Sequence, residues 1–530
     1  MSLPRNHKVI IAALAVMPVL AGGFLLQERE ARDGAKLFDQ VLTLVSERFV
    51  DTLDMAELYE QAANGLVEGL NDPFTELLTP KELRRFSATT GGRYGGIGMQ
   101  IEDQRGYITV SRVFPNTPAE RAGILEGDRI AGVEEHSTEG WDITQVSDSL
   151  TGPPGTRVTV RFARPGVDEP IELDLTRAII HIPAVPYAIM LDSSVGYVPL
   201  QQFNETASSE LADALEALRK QRVRGVILDL RGNGGGILDQ ALAVSNLFLR
   251  EGREIASVRG RAMAPQQFVT DAEPVLPSMP LVVLIDERTA SASEIVAGAL
   301  QDHDRALIVG TTSFGKGLVQ TLYPLEGGFG LKMTTAKWFT PSGRSIQKER
   351  TVVDGQFVEE ETDSVETEAV KATRPVYRSD AGRVVYGGGA ITPDIIVAND
   401  TLTSPEQTLV KALRSDWQIV YVTLHDYALE LKPGVNRAFE VDQSWRDEFF
   451  RRLTAAGVEV SRQEYEAGSH WVDRQLARKI AALAFGDSAV ARREVGNDAP
   501  LRKAIEVLAR GNSQADLFAI ARREQATANP

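Results

Sequence analysis

The sequence predicts a multidomain α+β protein. Three observations carry that reading. The chain has 530 residues, too many for one ordinary domain. Short apolar runs such as Val226–Leu230 and Leu281–Ile285 end in small or glycine-rich turns and lead into helical patterns, which reads as strand–turn–helix. The rhythm also changes along the chain: short strands and turns over 92–177, strand–turn–helix units over 178–397, and mainly helical spacing after Pro405. The net charge of −16 gives nucleic-acid binding no electrostatic support. There are no cysteines, so disulfides, a thiol nucleophile and a lipidated cysteine are excluded. The six histidines show no metal-ligand spacing, and no metal or cofactor is expected.

Residues 1–33 read as a signal-anchor or signal peptide. Arg5, His7 and Lys8 precede Val9–Leu26, an apolar run of 18 residues, close to the roughly 20 needed to span a bilayer. Ala21-Gly22-Gly23 offers no clear A-x-A cleavage site, which favours an uncleaved anchor. The rest of the chain is then extracytoplasmic. Residues 34–91 form a helical lead-in. Leu37, Val41, Leu44, Val45 and Phe49, then Leu58, Ala62, Leu66 and Leu70, recur at helical spacing as packing or dimer surfaces. Thr79, Pro80 and Glu82 predict the start of a further helix.

Residues 92–177 open on a glycine run, Gly91–Gly98, followed by Met99-Gln100-Ile101. No GK[ST] follows, so a phosphate loop is a poor fit. Gly106–Phe114 reads as a strand, and Pro118-Ala119-Glu120-Arg121-Ala122-Gly123 with Gly127-Asp128-Arg129-Ile130 as turn, short helix and turn. A helix over Thr144–Leu150 and a strand over Val158–Arg164 follow. This order resembles a PDZ domain, which binds extended peptides by adding a strand to its edge. The resemblance puts Ile97, Gly98 and Met99 near a carboxylate-binding loop. The alternative is a PDZ-like fold that only scaffolds.

Over 178–345, Gly225–Leu230 is a buried strand ending in Arg231-Gly232-Asn233-Gly234-Gly235-Gly236, with Asp239 placed to cap a helix over Gln240–Leu249. Such glycines let backbone N–H groups approach developing negative charge, or simply form a tight turn. The second unit holds Ser291 just past Leu281–Ile285, and Lys316 between Gly315 and Gly317. Locally, Ser291-Ala292-Ser293-Glu294 has capping-box spacing, and Lys316 reads as a surface lysine. Chemically, a serine nucleophile needs a base, and a desolvated lysine can serve. His303 sits in a polar loop and is a poor substitute. If Lys316–Leu322 is a strand, Lys316 and Gln320 share a face, and the amide can fix the amine.

At this point the sequence resembles the C-terminal processing peptidases, or tail-specific proteases. The matching residues are Thr289–Ile295, Gly298–Asp302, Phe314-Gly315-Lys316-Gly317 and Val319-Gln320, with Asp229-Leu230-Arg231-Gly232-Asn233 and Gly235-Gly236 upstream. Phe339–Gly343 and Ile391–Asp394 match further motifs, and Gly234 stands where the family often has proline. The resemblance runs from about 37 to about 397. It implies a core of the β-β-α (ClpP/crotonase-like) type over 178–397, with Ser291 as nucleophile, Lys316 as general base and Gln320 orienting the lysine. The N–H groups of Ala292 and Gly235 would form the oxyanion hole. Ser293 and Glu294 carry no direct chemical role in this reading. Arg177 is a regulatory hinge contact. The implied activity is that of a serine endopeptidase in the bacterial cell envelope, acting on proteins bound through their C-terminal tails.

Gln356–Lys371, within an acidic loop over 350–375, reads as solvated. The region 398–530 reads as helices over Glu406–Arg414, Gln418–Leu429, Trp445–Ala455, Val472–Phe485 and Pro500–Leu508, with a short β element at Gly457–Val460. Such helices suit an adaptor, a regulatory protein or self-association. Two rival classes remain: a catalytically silent PDZ adaptor for envelope proteins, and an acyl-CoA enzyme on a related core, for which no nucleotide site is found.

Overall fold

The computed structural model describes residues 32–528 apart from 105, 165–166, 168, 192–193, 349–350, 354–355 and 359–372. The apolar segment Val9–Leu26 and most of the acidic loop fall outside the described residues. Among the described residues no helix is long and apolar enough to cross a membrane.

Residues up to 77 form one unit and the remainder a second. In the first, residues 32–48 are helical and Met55–Glu68 forms another helix, capped by Asp54 through the N–H of Ala56 at 2.7 Å. Their apolar stripes stay largely exposed, Leu37, Val41, Leu44, Phe49, Leu66 and Leu70 among them.

The second unit begins with the helix Pro80–Gly91, whose capping box is the predicted Thr79–Glu82 pair. Five antiparallel strands follow in spatial order Met99–Gln104, Tyr107–Val113, Arg129–Val133, Arg157–Ala163, Ile171–Thr176. With the helix Ile143–Leu150 they enclose Ile108, Val110, Val146, Val160 and Phe162. This is the predicted PDZ architecture.

The central sheet has the order Ile189–Leu191, Val195–Pro199, Gly225–Asp229, Leu281–Ile285, Leu307–Gly310, Ile395–Ile396, parallel after its first pair. Its strands are apolar throughout because both faces are covered. Alternation decides which residue meets which layer. Val226, Leu228, Val283 and Ile285 join the helices Ala207–Lys220, Leu238–Asn246 and Ala292–Asp302. Ile227, Val282, Leu284, Leu307 and Val309 meet the final helices, Ala499–Arg510 and Gln514–Ala528. Residues after 398 therefore divide between two cores. The helices from Ser404 to Phe485 build their own, around Leu409, Leu424, Phe449, Tyr465 and Trp471.

Three local expectations are corrected. Asp239 does not cap: Phe203 and the 235–237 backbone exchange bonds at 3.0 and 2.8 Å, so the helix begins at Leu238 and Asp239 sits in its first turn. Gly457–Val460 is not a strand. The N–H groups of Gly457 and Val458 return to Thr454 and Leu453, with Gly457 at φ +89°, a Schellman closure of the preceding helix. The strand after Lys316 starts later, at Leu318.

His425 is fully buried, and among the described residues neither ring nitrogen has a hydrogen-bond partner. Burial, aided by the Lys479 and Lys432 charges, pushes it down to about 3. The unfolded chain protonates near 6.5, so between those values it binds more protons than the folded form. Stability is then full above about pH 6.5 and falls as pH drops, by about 2 kcal/mol at pH 5. Thermal melts from pH 7 to 5 check this; His425→Leu is expected to flatten the slope.

Candidate active site

Two strand ends, those of Gly225–Asp229 and Leu281–Ile285, are joined by buried polar side chains. Asp286 Oδ1 accepts the N–H of Gly232 at 2.9 Å and of Arg288 at 3.1 Å. Thr289 Oγ1 donates to Leu230 O at 2.9 Å. Asn233, fully buried, accepts Ala290 N–H and Ser293 Oγ–H on its carbonyl, each at 3.0 Å. Its amide donates to Leu200 O at 2.7 Å, and its Oδ1 accepts Gly235 N–H at 2.9 Å.

Ser291 stands between that turn and the helix Ala292–Asp302, at φ +56° and ψ −116°. A non-glycine residue is strained there. A sharp strand-to-helix turn of this kind lifts a serine hydroxyl out of the sheet. Ser291 and Glu294 stand in capping-box register, but the Ser291 hydroxyl makes no capping hydrogen bond of normal geometry among the described residues. The capping-box spacing serves the other partner: Glu294, fully buried, accepts the Ser291 N–H on Oε2 at 2.8 Å. The same oxygen accepts Lys316 N–H at 2.9 Å. The two backbone nitrogens are therefore within about 5.7 Å of each other. Oε1 accepts Gly315 N–H at 2.7 Å and Ser313 Oγ–H at 2.5 Å. Burial pushes the Glu294 carboxyl up, against the pull of these four donors.

Lys316 Nζ donates to Gln320 Oε1 at 2.9 Å, the contact expected of that pair. The flanking glycines are required by space: a Cβ at Gly315 (φ +85°) would meet Lys348 Cβ at 2.9 Å, and one at Gly317 would meet Gln347 N at 2.9 Å. A Cβ at Gly235 (φ +97°) would lie 2.7 Å from Ala290 O, 2.8 Å from Ala292 N and 2.9 Å from Ser291 Cβ. Gly235 thus backs directly onto the serine turn. Its own N–H is engaged by Asn233, whereas Ala292 N–H has no acceptor among the described residues.

Three residues that sequence reasoning passed over build this site. Glu294 was legible as S-x-x-E spacing but not as a long-range hub. Asn233 was legible only as part of a motif. Arg231 pairs bidentately with Asp498, both contacts at 2.8 Å, and also with Asp229. It thereby ties the root of the glycine loop to the N-cap of Ala499–Arg510. Of the PDZ residues, Ile97 and Met99 are buried and Gly98 has φ +88°; all three line a cavity of about 1180 Å³ whose lining includes neither Ser291 nor Lys316. Arg177 donates to Leu150 O, Ser149 O and Arg157 O at 2.8–2.9 Å, closing the C-terminal end of the PDZ helix.

Residues 194–357 match the family model for peptidase family S41, and residues 109–164 that for a PDZ domain. A carboxy-terminal-processing protease of Bartonella bacilliformis is 39% identical over 315 residues, covering 58% of this chain and 72% of that protein. The carboxy-terminal processing protease CtpA of Bacillus subtilis is 32% identical over 342 residues, covering 64% and 73%. Among solved structures, a photosystem II D1 C-terminal processing protease is 33% identical, covering 57% of this chain and 82% of that one with a TM-score of 0.34.

Glu294→Ala would strand four buried donors, each worth about 1–3 kcal/mol. It is expected to lower the melting temperature and abolish turnover, checked by calorimetry and a casein assay. Gly235→Ala, which strikes the serine turn, is expected to reduce turnover at least about a hundredfold, the scale of losing one oxyanion donor.

Proposed function

The chain belongs to the carboxy-terminal processing proteases of peptidase family S41, and from that premise we propose which of its residues carry the reaction. It is a serine-type peptidase with a PDZ domain, and its substrates are proteins bound through their C-terminal tails. Ser291 Oγ attacks the scissile carbonyl carbon while Lys316, as a neutral amine, takes the hydroxyl proton. Gln320 Oε1 orients that amine. The oxyanion goes to Ala292 N–H at a helix N-terminus, joined by Gly235 N–H once Asn233 Oδ1 releases it. Lys316 passes its proton to the leaving amine. Water, deprotonated by the same base, then frees Ser291 from the acyl group.

One observation carries this reading. A single oxygen of Glu294 binds the N–H groups of both Ser291 and Lys316, which come from separate loops. A scaffold has no need of that convergence. We assign residues 92–177 to the PDZ domain and 178–397 to a ClpP/crotonase-like core, with Ile97, Gly98 and Met99 at the tail-binding groove. Arg177 acts as its regulatory contact. The site of action is the extracytoplasmic face of the envelope, with residues 1–33 as anchor or signal peptide. The exposed stripes of 34–70 and the C-terminal helices suit self-association or a regulatory protein.

Ser291→Ala and Lys316→Ala are each expected to abolish cleavage of an unfolded protein without changing the circular dichroism spectrum. Lys316→Arg is expected to be equally inactive, because a guanidinium stays protonated. Full activity in any of the three sinks the dyad. Gln320→Ala is expected to lower kcat about tenfold with little change in KM, because it orients the base without binding substrate.

A further inference from the structure

The PDZ groove has a wall that the PDZ fold does not supply. The helix Pro80–Gly91 precedes the domain, yet Lys81, Arg84 and Arg85 line the same cavity as Met99 and Ile101 of the edge strand. Lys81 and Arg85 both meet one carboxylate, Asp148, on the PDZ helix Ile143–Leu150: Arg85 Nη2 lies 2.6 Å from Oδ1, and Lys81 Nζ contacts Oδ2. Arg84 makes no ion pair among the described residues. Arg93 and Glu205, also in the lining, pair with each other. The lining thus holds four cations against two carboxylates, a surplus of positive charge. In the same cavity the N–H groups of Ile97 and Gly98 donate to nothing among the described residues.

The clasp on Asp148 is weak. The Lys81 and Arg85 side chains are 55% and 49% exposed, and pairs so wet contribute little. A guanidinium and an ammonium can exchange one carboxylate for another at little cost, and Asp148, 30% exposed, is readily rehydrated. We propose that Lys81 and Arg85, with Arg84, are specificity-determining residues that exchange Asp148 for a carboxylate of the incoming tail, selecting substrates with acidic C-terminal ends. That carboxylate is an Asp or Glu side chain near the chain end, because the terminal carboxylate is common to every tail. The exchange also unfastens the helix Pro80–Gly91 from the PDZ helix. This inference rests on the tail-recognition reading and deepens it.

The test uses the full chain with Ser291→Ala, so that bound tails are not cleaved, and fluorescence anisotropy with three labelled decapeptides. One ends in a free carboxylate with Glu at the third-last position, one replaces that Glu by Gln, and one is C-terminally amidated. Adding Lys81→Gln and Arg85→Gln is expected to weaken binding of the first peptide about tenfold and flatten its salt dependence. Loss of the effect with the Gln peptide supports reading of the acidic side chain; loss with the amidated peptide alone means that the terminal carboxylate is read and overturns selection of acidic tails. Adding Asp148→Asn is expected to tighten the first peptide about threefold by removing the competing carboxylate. Equal affinities with and without Lys81 and Arg85 would overturn the proposal, and so would unchanged or weaker binding after Asp148→Asn. If no tail binds the parent protein at all, the tail-recognition reading falls, and this inference with it.

Discussion

A carboxylate with no access to water and four donors around it is the constraint on which the catalytic end of this protein depends. Burying an ionised carboxyl costs several kcal/mol. Charge-assisted hydrogen bonds of about 1.5–3 kcal/mol each offset that cost when all are made. Glu294 makes four, to Ser291, Ser313, Gly315 and Lys316. What remains is geometry more than stability. Ser291 occupies a backbone region that costs about 1–3 kcal/mol and persists only where neighbours over-determine it. Glu294 from the helix, and Asn233 through Ala290 and Ser293, provide that over-determination. The serine is held through its backbone N–H and through its neighbours in the turn.

Much of this was readable from residues alone. Strand, turn and helix around Ser291 and the glycines flanking Lys316 follow from local spacing; the Lys316–Gln320 contact is made although the strand begins only at Leu318, so alternation from Lys316 does not explain it. The role of Glu294 does not, because Ser-x-x-Glu is satisfied equally by a plain helix cap. Its other three partners lie 19 to 22 residues away, on a loop that no periodicity connects to the helix. Gly235 was legible as a glycine that must approach something closely. That its N–H is already given to Asn233 is a fact of three dimensions. Errors at element ends have the same origin: Asp239 has the right chemistry for a cap, but a backbone bridge to Phe203 starts the helix two positions too early for it.

The region after residue 398 marks the limit of such reasoning. Amphipathic spacing announces that a helix has a buried face but not what buries it. One group of helices packs on the peptidase sheet and, through Asp498, grips Arg231 at the root of the glycine loop. Another reaches the PDZ domain: Tyr421 donates to Glu102 at 2.7 Å and Lys432 contacts Glu126 at 3.2 Å, while Arg112 meets Asp487 at 2.8 Å. No motif foretells these pairings, which join residues more than 260 positions apart.

Glu102 lies on Met99–Gln104, the strand whose Met99 and Ile101 line the PDZ cavity proposed to take the tail. That strand is therefore tethered by the C-terminal helices, while the opposite wall of the cavity belongs to Pro80–Gly91. The cavity's lining joins the helix Pro80–Gly91 and Glu205 to PDZ residues, so the PDZ fold supplies only part of it. Strand addition supplies affinity through main-chain hydrogen bonds and is indifferent to sequence, so discrimination among tails must come from the walls. Here the walls are charged and wet. Charges of that kind act over about 10 Å at moderate ionic strength and change encounter and selection more than they change ultimate tightness. On the proposed reading, a peptidase that must reject most folded proteins and accept a few tails is better served by such a charged wall than by a deep apolar pocket, because charge discriminates at encounter.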